Sequence, residues 1–234
     1  MRLVLMSDTH SKHRLFYPPE GDVLIHAGDI MNSGADIREI VDFNEWLRIL
    51  PHKHKIVVAG NHDRLFEKSG KTRDLITNAT YLENSGVTIN GVKFWGSPAQ
   101  PEFYDWAFNY RRGEEIDKIW RMIPDDTDVL ITHGPPAGIR DWTDPGRESM
   151  GCRNLRDAVK RVKPKLHVFG HIHGGYGEDH DGITHFVNAS LMDEAYRPTN
   201  KPIVVELDVP QASHYGLLLN QTEEPKILGG KLSR

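Results

Sequence analysis

Five short apolar runs, each broken off by a turn that carries histidine, aspartate or asparagine, constrain this chain more than any other feature. They are Leu3–Met6, Val23–Ala27, Ile56–Ala59, Val129–Thr132 and Leu166–Phe169. Their length and β-branched content fit strands covered on both faces, since a strand with one wet face alternates instead. Asp8-Thr9-His10 follows the first run, Gly28-Asp29 the second and Gly60-Asn61-His62-Asp63 the third. His133-Gly134 follows the fourth and Gly170-His171-Ile172-His173 the fifth. Open α/β sheets bind ligands at the carboxyl ends of their strands, so the turns are expected to converge on one rim. Any one of these motifs alone is commoner as a surface turn. A complementary set of imidazoles and carboxyl oxygens on successive strand ends is not.

Helical periodicity fills the intervals. Ile37, Ile40, Val41, Asn44 and Leu47 fall on one helix face, with Asp36 as its N-cap. Leu155, Ala158, Val159 and Val162 repeat at helical spacing before Pro164, and Arg112–Met122 is a weaker helix. Val87–Ile89 and Val92–Trp95 flank Asn90-Gly91, a strong hairpin signal. Ile183–Asn188 and Ile203–Leu207 read as further strands. Strands alternating with helices, plus hairpins, imply an α/β chain with two packed sheets and helices outside. The expected organisation is one catalytic domain over 1–209 and an irregular C-terminal tail over 210–234, with Leu217–Leu219 read as docking on the body.

Charge and cysteine content narrow the function. The net charge of −4 over 234 residues lacks the basic surplus of a protein that grips nucleic-acid phosphates, so nucleic acid is an unexpected partner. Cys152 is the one cysteine, which rules out an intrachain disulfide and suits a reducing compartment. No window approaches a membrane span, and Met1–Met6 reaches Asp8 too soon for a signal peptide. A cytoplasmic protein with no membrane association is expected.

In order and spacing the motifs resemble the calcineurin-like metallophosphoesterases: Asp-x-His, Gly-Asp, Gly-Asn-His-Asp, His, then Gly-His-x-His. The resemblance runs from Ser7 to about Leu207. It is finer to the branch of metallophosphoesterase-domain brain-type, class III-like phosphodiesterases, in Ser7–Ser11, Asp22–Asp29, Gly96–Gly113, Thr132–Pro136 and Pro164–Gly177 with Val187-Asn188-Ala189-Ser190. Some members of that branch lack one histidine of the final motif, whereas this chain keeps both. The resemblance implies a double β-sandwich flanked by helices, a four-layer αββα fold. It implies one metal held by Asp8, His10, Asp29 and His173, and a second by Asp29, Asn61, His133 and His171. Two divalent transition-metal ions are expected, manganese first, with iron, zinc, cobalt or nickel as alternatives that nitrogen and oxygen ligands also suit. His62 is assigned to protonating the leaving oxygen and Asp63 to orienting its ring.

The activity this implies is phosphodiester hydrolysis on a small nucleotide-type substrate such as a cyclic nucleotide. A phosphomonoesterase or protein phosphatase, a nuclease for short ends, and a scaffold without turnover are the alternatives. No substrate-binding residue is assigned, and oligomeric state is open. The irregular segments 97–112 and 134–151 are expected over the rim, where Phe103, Tyr104, Trp106 and Phe108 are candidates to stack a base. Arg140 and Arg147 are read as surface residues within reach of a phosphate, and His13 as a candidate pocket residue. His26 and His167 are read as core residues, and His52, His54, His180 and His214 as surface.

Overall fold

The computed structural model describes residues 1–143, 149–208 and 227–228. Its first half runs β1 (Arg2–Met6), β2 (Val23–Ala27), α1 (Ile37–Ile49), β3 (His54–Val58), α2 (Arg64–Lys68), α3 (Gly70–Arg73) and β4 (Thr80–Tyr81). The hairpin β5 (Ser85–Ile89) and β6 (Val92–Ser97) leads into a short ribbon, β7 (Gln100–Pro101) with β8 (Asn109–Tyr110). Then come α4 (Glu114–Trp120), β9 (Val129–Thr132), α5 (Arg153–Val162), β10 (Leu166–Phe169), β11 (Gly177–His180), β12 (His185–Asn188), β13 (Ile203–Glu206) and β14 (Ile227–Leu228).

Two sheets result. One has the order β13-β1-β2-β3-β4, and the other β11-β12-β10-β9-β6-β5-β14. Each has a parallel centre, β1 to β4 in the first and β6, β9, β10 and β12 in the second; antiparallel β13 forms one edge of the first sheet, and antiparallel strands flank the second on both sides. The parallel centres explain why the motif strands read as unbroken apolar runs. Leu3, Leu5, Ile25, Ile56 and Val58 face Phe94, Val129, Ile131, Leu166 and Val168 in the core between the sheets. The alternate residues Val4, Met6, Leu24 and Val57 pack outward on Ile40, Phe43, Trp46 and Leu47 of α1. Trp95, Leu130 and Phe169 pack outward on α4 and α5. Each such side chain withdrawn from water is worth about 1.5–3 kcal/mol. Helix, sheet, sheet and helix are thus stacked as the sequence implied.

The elements read from sequence are all present, one of them rotated, but α2, α3, β4 and β11 lie outside that reading, the β7–β8 ribbon falls in the segment 97–112 expected to be irregular, and β14 falls in the tail expected to be irregular. Asp36 caps α1, its Oδ1 accepting the Arg38 N–H at 3.0 Å. The buried face of α1 is Ile40, Phe43, Asn44, Trp46 and Leu47, however, while Ile37 and Val41 are exposed. The large rings of Phe43 and Trp46 take the sheet contact and turn the smaller β-branched residues outward. Leu155, Ala158, Val159 and Val162 of α5 are all buried as expected. Asn90 and Gly91 have φ of 50° and 80° at the hairpin, the pair of positive values that a type I′ turn requires. Among the described residues, no helix is long and apolar enough to cross a membrane. The expectations for Leu217–Leu219, His214, Arg147 and nearly all of the tail concern positions outside the described residues; within the tail, Ile227–Leu228 pairs antiparallel with β5.

Candidate metal centre

The parallel strands of both sheets deliver their following turns to one place, because the sheets touch there. Ser7 and Ser190 form a bridge just past the ends of β1 and β12, and Gly170 sits so close to Ser7 and Asp8 that any Cβ would collide with both side chains. Gly60 is equally confined, against the Asp29 carboxylate and the His133 ring. Glycine at these two positions is what lets the two sets of turns meet.

Within this junction the histidines and aspartates converge. Asp8, His10 and His173 present side-chain nitrogen and oxygen atoms all within 4.8 Å of one another, and so do Asp29, His133 and His171. His10 Nε2 and His173 Nε2 are 3.3 Å apart. Asp29 Oδ2 stands between the halves, 3.4 Å from His133 Nε2 and 3.8 Å from His10 Nε2. Asn61 Oδ1 is 2.8 Å from His133 Nε2. The seven residues assigned as ligands from sequence are therefore brought together. His62 also comes within the same reach of His10 and Asp29. Four of the seven, Asp8, His10, Asp29 and His171, have φ between 42° and 68°. Left-handed backbone at non-glycine residues costs about 1–3 kcal/mol each and gathers where function requires it.

The donor set fits divalent cations on its own electrostatics. His133 Nδ1 lies 3.0 Å from the Ala27 carbonyl and His173 Nδ1 2.9 Å from the Asp193 carbonyl. A carbonyl accepts only, so each Nδ1 carries the hydrogen and each Nε2 points a lone pair inward. Those lone pairs face Asp29, Asn61 and Asp8 oxygens, a repulsive arrangement unless positive charge stands between them. Protons answer that demand in the bare protein. Burial disfavours the charged form of His133, but the Asp29 carboxylate outweighs it and raises the group to about 9. His173 is likewise raised, hydrogen bonding and charge from Asp8 outweighing its burial. Asp8 is buried, yet its contact with His173 holds it below the usual carboxylate range. Burial pushes His10 down to about 4 and His171 to about 3, leaving them neutral. Neutral imidazoles and ionised carboxylates are the states that ligate metals.

His62 and Asp63 diverge from the expected pairing. His62 Nδ1 is 2.6 Å from the Asn32 carbonyl, so that backbone oxygen orients the ring. Asp63 does not: its fully buried carboxylate accepts the N–H groups of Gly60 at 2.7 Å, Met31 at 2.8 Å and Ile30 at 3.2 Å. It ties the turn after β2 to the turn after β3, and three peptide donors leave it no place beside the imidazole. Burial and the neighbouring Asp29 push it up to about 7.

A cavity of about 420 Å³ opens over the cluster, bordered by Asp29, Asn61, His62, His171 and His173 on the floor and by Phe103, Trp106 and Tyr196 on the walls. Trp106 stacks on His62 with ring centroids 4.3 Å apart, and the Arg64 guanidinium lies 5.0 Å over the Trp106 ring. Phe108 is buried in the core instead, and Tyr104 projects into solvent. Arg140 bonds the Glu178 carbonyl. His13 is buried against Asp42, Phe43 and Trp46, away from the cavity. His26 and His167 are core residues, as read from sequence, each bonded to a threonine hydroxyl. His52 is only 2% exposed, its Nε2 donating to the Pro19 carbonyl, and is not a surface residue.

Tyr196 and Asn32 were not legible as site residues. Tyr196 has a φ of 57° and sits on a turn organised by Asp193, whose Oδ1 accepts the Ala195 and Arg197 N–H groups. Its ring lies 4.8 Å from His10 and 5.1 Å from His173, and its hydroxyl 3.5 Å from His62 Nε2. Asp193 alone, as a turn former, hinted at structure there.

Two packed sheets thus present histidine, carboxylate and asparagine side chains from successive strand ends, grouped so that they could hold metal ions. The calcineurin-like phosphoesterase family profile matches residues 1–175, and the chain belongs to that family. It is 44% identical over 237 residues to metallophosphoesterase domain-containing protein 1 of Homo sapiens, spanning 91% of this chain and 72% of that protein. A UPF0046 protein of Caenorhabditis elegans is 41% identical over 219 residues, spanning 87% of this chain and 74% of that protein. The crystal structure of TT1561 of Thermus thermophilus shares the fold, with a TM-score of 0.54 at 15% identity over 80% of this chain and 88% of that one.

Proposed function

We propose that the chain is a phosphodiesterase acting on nucleotide-type diesters, cyclic nucleotides among them, with His62 as proton donor to the leaving oxygen. The observation that carries this is the setting of His62. Its Nδ1–H is spent on the Asn32 carbonyl, its face is held by Trp106, and its Nε2 lies 3.5 Å from the hydroxyl of Tyr196, which like His62 borders the cavity. A positioned acid is needed where an alcohol must leave, the step that a diester or a monoester of an ordinary alcohol presents, and the substrate panel below decides between the two. Asp8, His10, Asp29 and His173 would hold one divalent cation, and Asp29, Asn61, His133 and His171 a second; manganese is our first assignment. When bound, such ions supply charge neutralisation and activation of water.

The remaining work falls to the chain's own groups. The carbonyls of Ala27 and Asp193 fix the ring orientation of His133 and His173. Backbone N–H groups hold the carboxylates: His171 N lies 3.1 Å from Asp8, and His62 N 2.8 Å from Asp29. Trp106, Phe103 and Tyr196 offer aromatic faces to a base or ring. A small-molecule substrate in a reducing, cytoplasmic setting suits the net charge of −4 and the single cysteine. The test is a panel of 2′,3′-cyclic and 3′,5′-cyclic nucleotides, mononucleotides and aryl phosphodiesters, with chelated protein and with added Mn²⁺. Diester hydrolysis restored by Mn²⁺ is expected. Hydrolysis of monoesters with no diester turned over would replace this reading by a phosphomonoesterase.

A further inference from the structure

A second recess adjoins the cavity over the cluster. Beyond His171 and Ile172 lies a narrower recess of about 230 Å³, walled by Phe103, Pro135, Met150 and Ile172, with Glu102 and Arg112 also on its boundary. Phe103, Thr143, His171 and Ile172 border both spaces, whereas His62, Trp106 and Tyr196 border only the main cavity. Two nitrogens of Arg112 are already engaged, at 2.8 Å with the Gly151 carbonyl and 3.0 Å with that of Met150. Gly134 borders the recess as well, and a Cβ there would meet Gln100 Cβ and the His171 ring at ordinary van der Waals contact, 3.9 Å from each.

In-line displacement at phosphorus sets the attacking and leaving oxygens on one axis and the other three oxygens around it. A leaving oxygen protonated by His62 lies on the His62 and Trp106 side. The retained ester oxygen is one of the three around the axis, so its substituent departs sideways from that wall. The recess beside His171 opens on a side to which His62 and Trp106 do not contribute. We propose that this recess binds the retained ester substituent of an open-chain phosphodiester, as an uncharged ring or short aliphatic group. Its size is below the ~300–1,000 Å³ of a site for a whole ligand and suits one ring rather than a nucleoside. The inference rests on the phosphodiesterase reading and narrows it. A cyclic nucleotide carries both ester oxygens on one sugar and leaves the recess empty, whereas two independent substituents occupy both spaces.

The experiment compares kcat/KM for phenyl 4-nitrophenyl phosphate and methyl 4-nitrophenyl phosphate, using the full chain loaded with Mn²⁺. Both esters release the same 4-nitrophenolate, so comparing the phenyl-to-methyl ratio across variants cancels their intrinsic difference in reactivity. Gly134→Leu and Met150→Trp fill the recess from separate walls, and either suffices if the other misfolds. The ratio should fall on the order of tenfold or more when the recess is filled. An unchanged ratio in folded, metal-loaded variants overturns the inference while leaving the phosphodiesterase reading intact. Turnover of 4-nitrophenyl phosphate with neither diester hydrolysed overturns both together.

Discussion

Asp63 shows how far a residue's role depends on what the fold brings to it. Next to His62 in sequence, it reads as that ring's orienter; in the structure it gathers the N–H groups of Ile30, Met31 and Gly60, the first two more than thirty residues away. An unsatisfied buried donor costs about 1–3 kcal/mol, so Asp63→Ala should lose at least ~3 kcal/mol of stability, read as a lower urea midpoint. An orienter of His62 would instead lose rate with an unchanged midpoint. Tyr196 makes the same point from the other direction. It reaches a histidine 134 positions away through a turn whose geometry no local pattern encodes.

At the scale of elements, periodicity carried most of the fold. The motif strands were legible because double burial leaves them unbroken and apolar, and α5 because its stripe is narrow and regular. The face of α1 was not fully legible, because Phe43 and Trp46 compete with Ile37 and Val41 for the sheet and only packing decides between them. Trp46→Ala, at a residue 3% exposed, should therefore cost about 3–5 kcal/mol. Ile37→Lys, at a position 51% exposed, should stay within about 0.5 kcal/mol. Thermal or urea unfolding of the two variants distinguishes the observed face from the one periodicity alone suggests.

At the scale of the whole molecule, the two sheets meet at one end, where the candidate ligands gather, and the tight packing of both sheets makes stability depend on pH through buried histidines. His167, within β10 and packed on Phe169 and Phe186, is one of them. The Thr132 hydroxyl donates to the Gly134 carbonyl and so accepts from His167 Nε2, which leaves Nδ1 buried without a partner. Burial pushes this histidine from 6.5 down to about 3, so it stays neutral in the fold. The unfolded chain then binds the extra proton between those values, and the stabilisation present above 6.5 is lost as the pH falls toward 3. His167→Leu should remove about 2 kcal/mol of the stability that the wild type loses between neutral pH and pH 5, measured by urea unfolding across that range. The convergence of the motif turns was legible in the sequence because parallel strands must end on the same side; which carbonyls would lock the histidines was not, since Ala27, Asn32 and Asp193 act through their backbones. In the proposed reading His62 donates a proton beside metal ions that it would not help to hold. Its most direct test is the rate of His62→Ala relative to wild type on a nucleoside diester and on a 4-nitrophenyl diester, with bound metal measured on the same samples. A loss of ~10²–10⁴-fold on the nucleoside ester, a far smaller loss on the activated ester and unchanged metal content are expected. Equal losses on both esters, or a variant that has shed its metal, would contradict that reading.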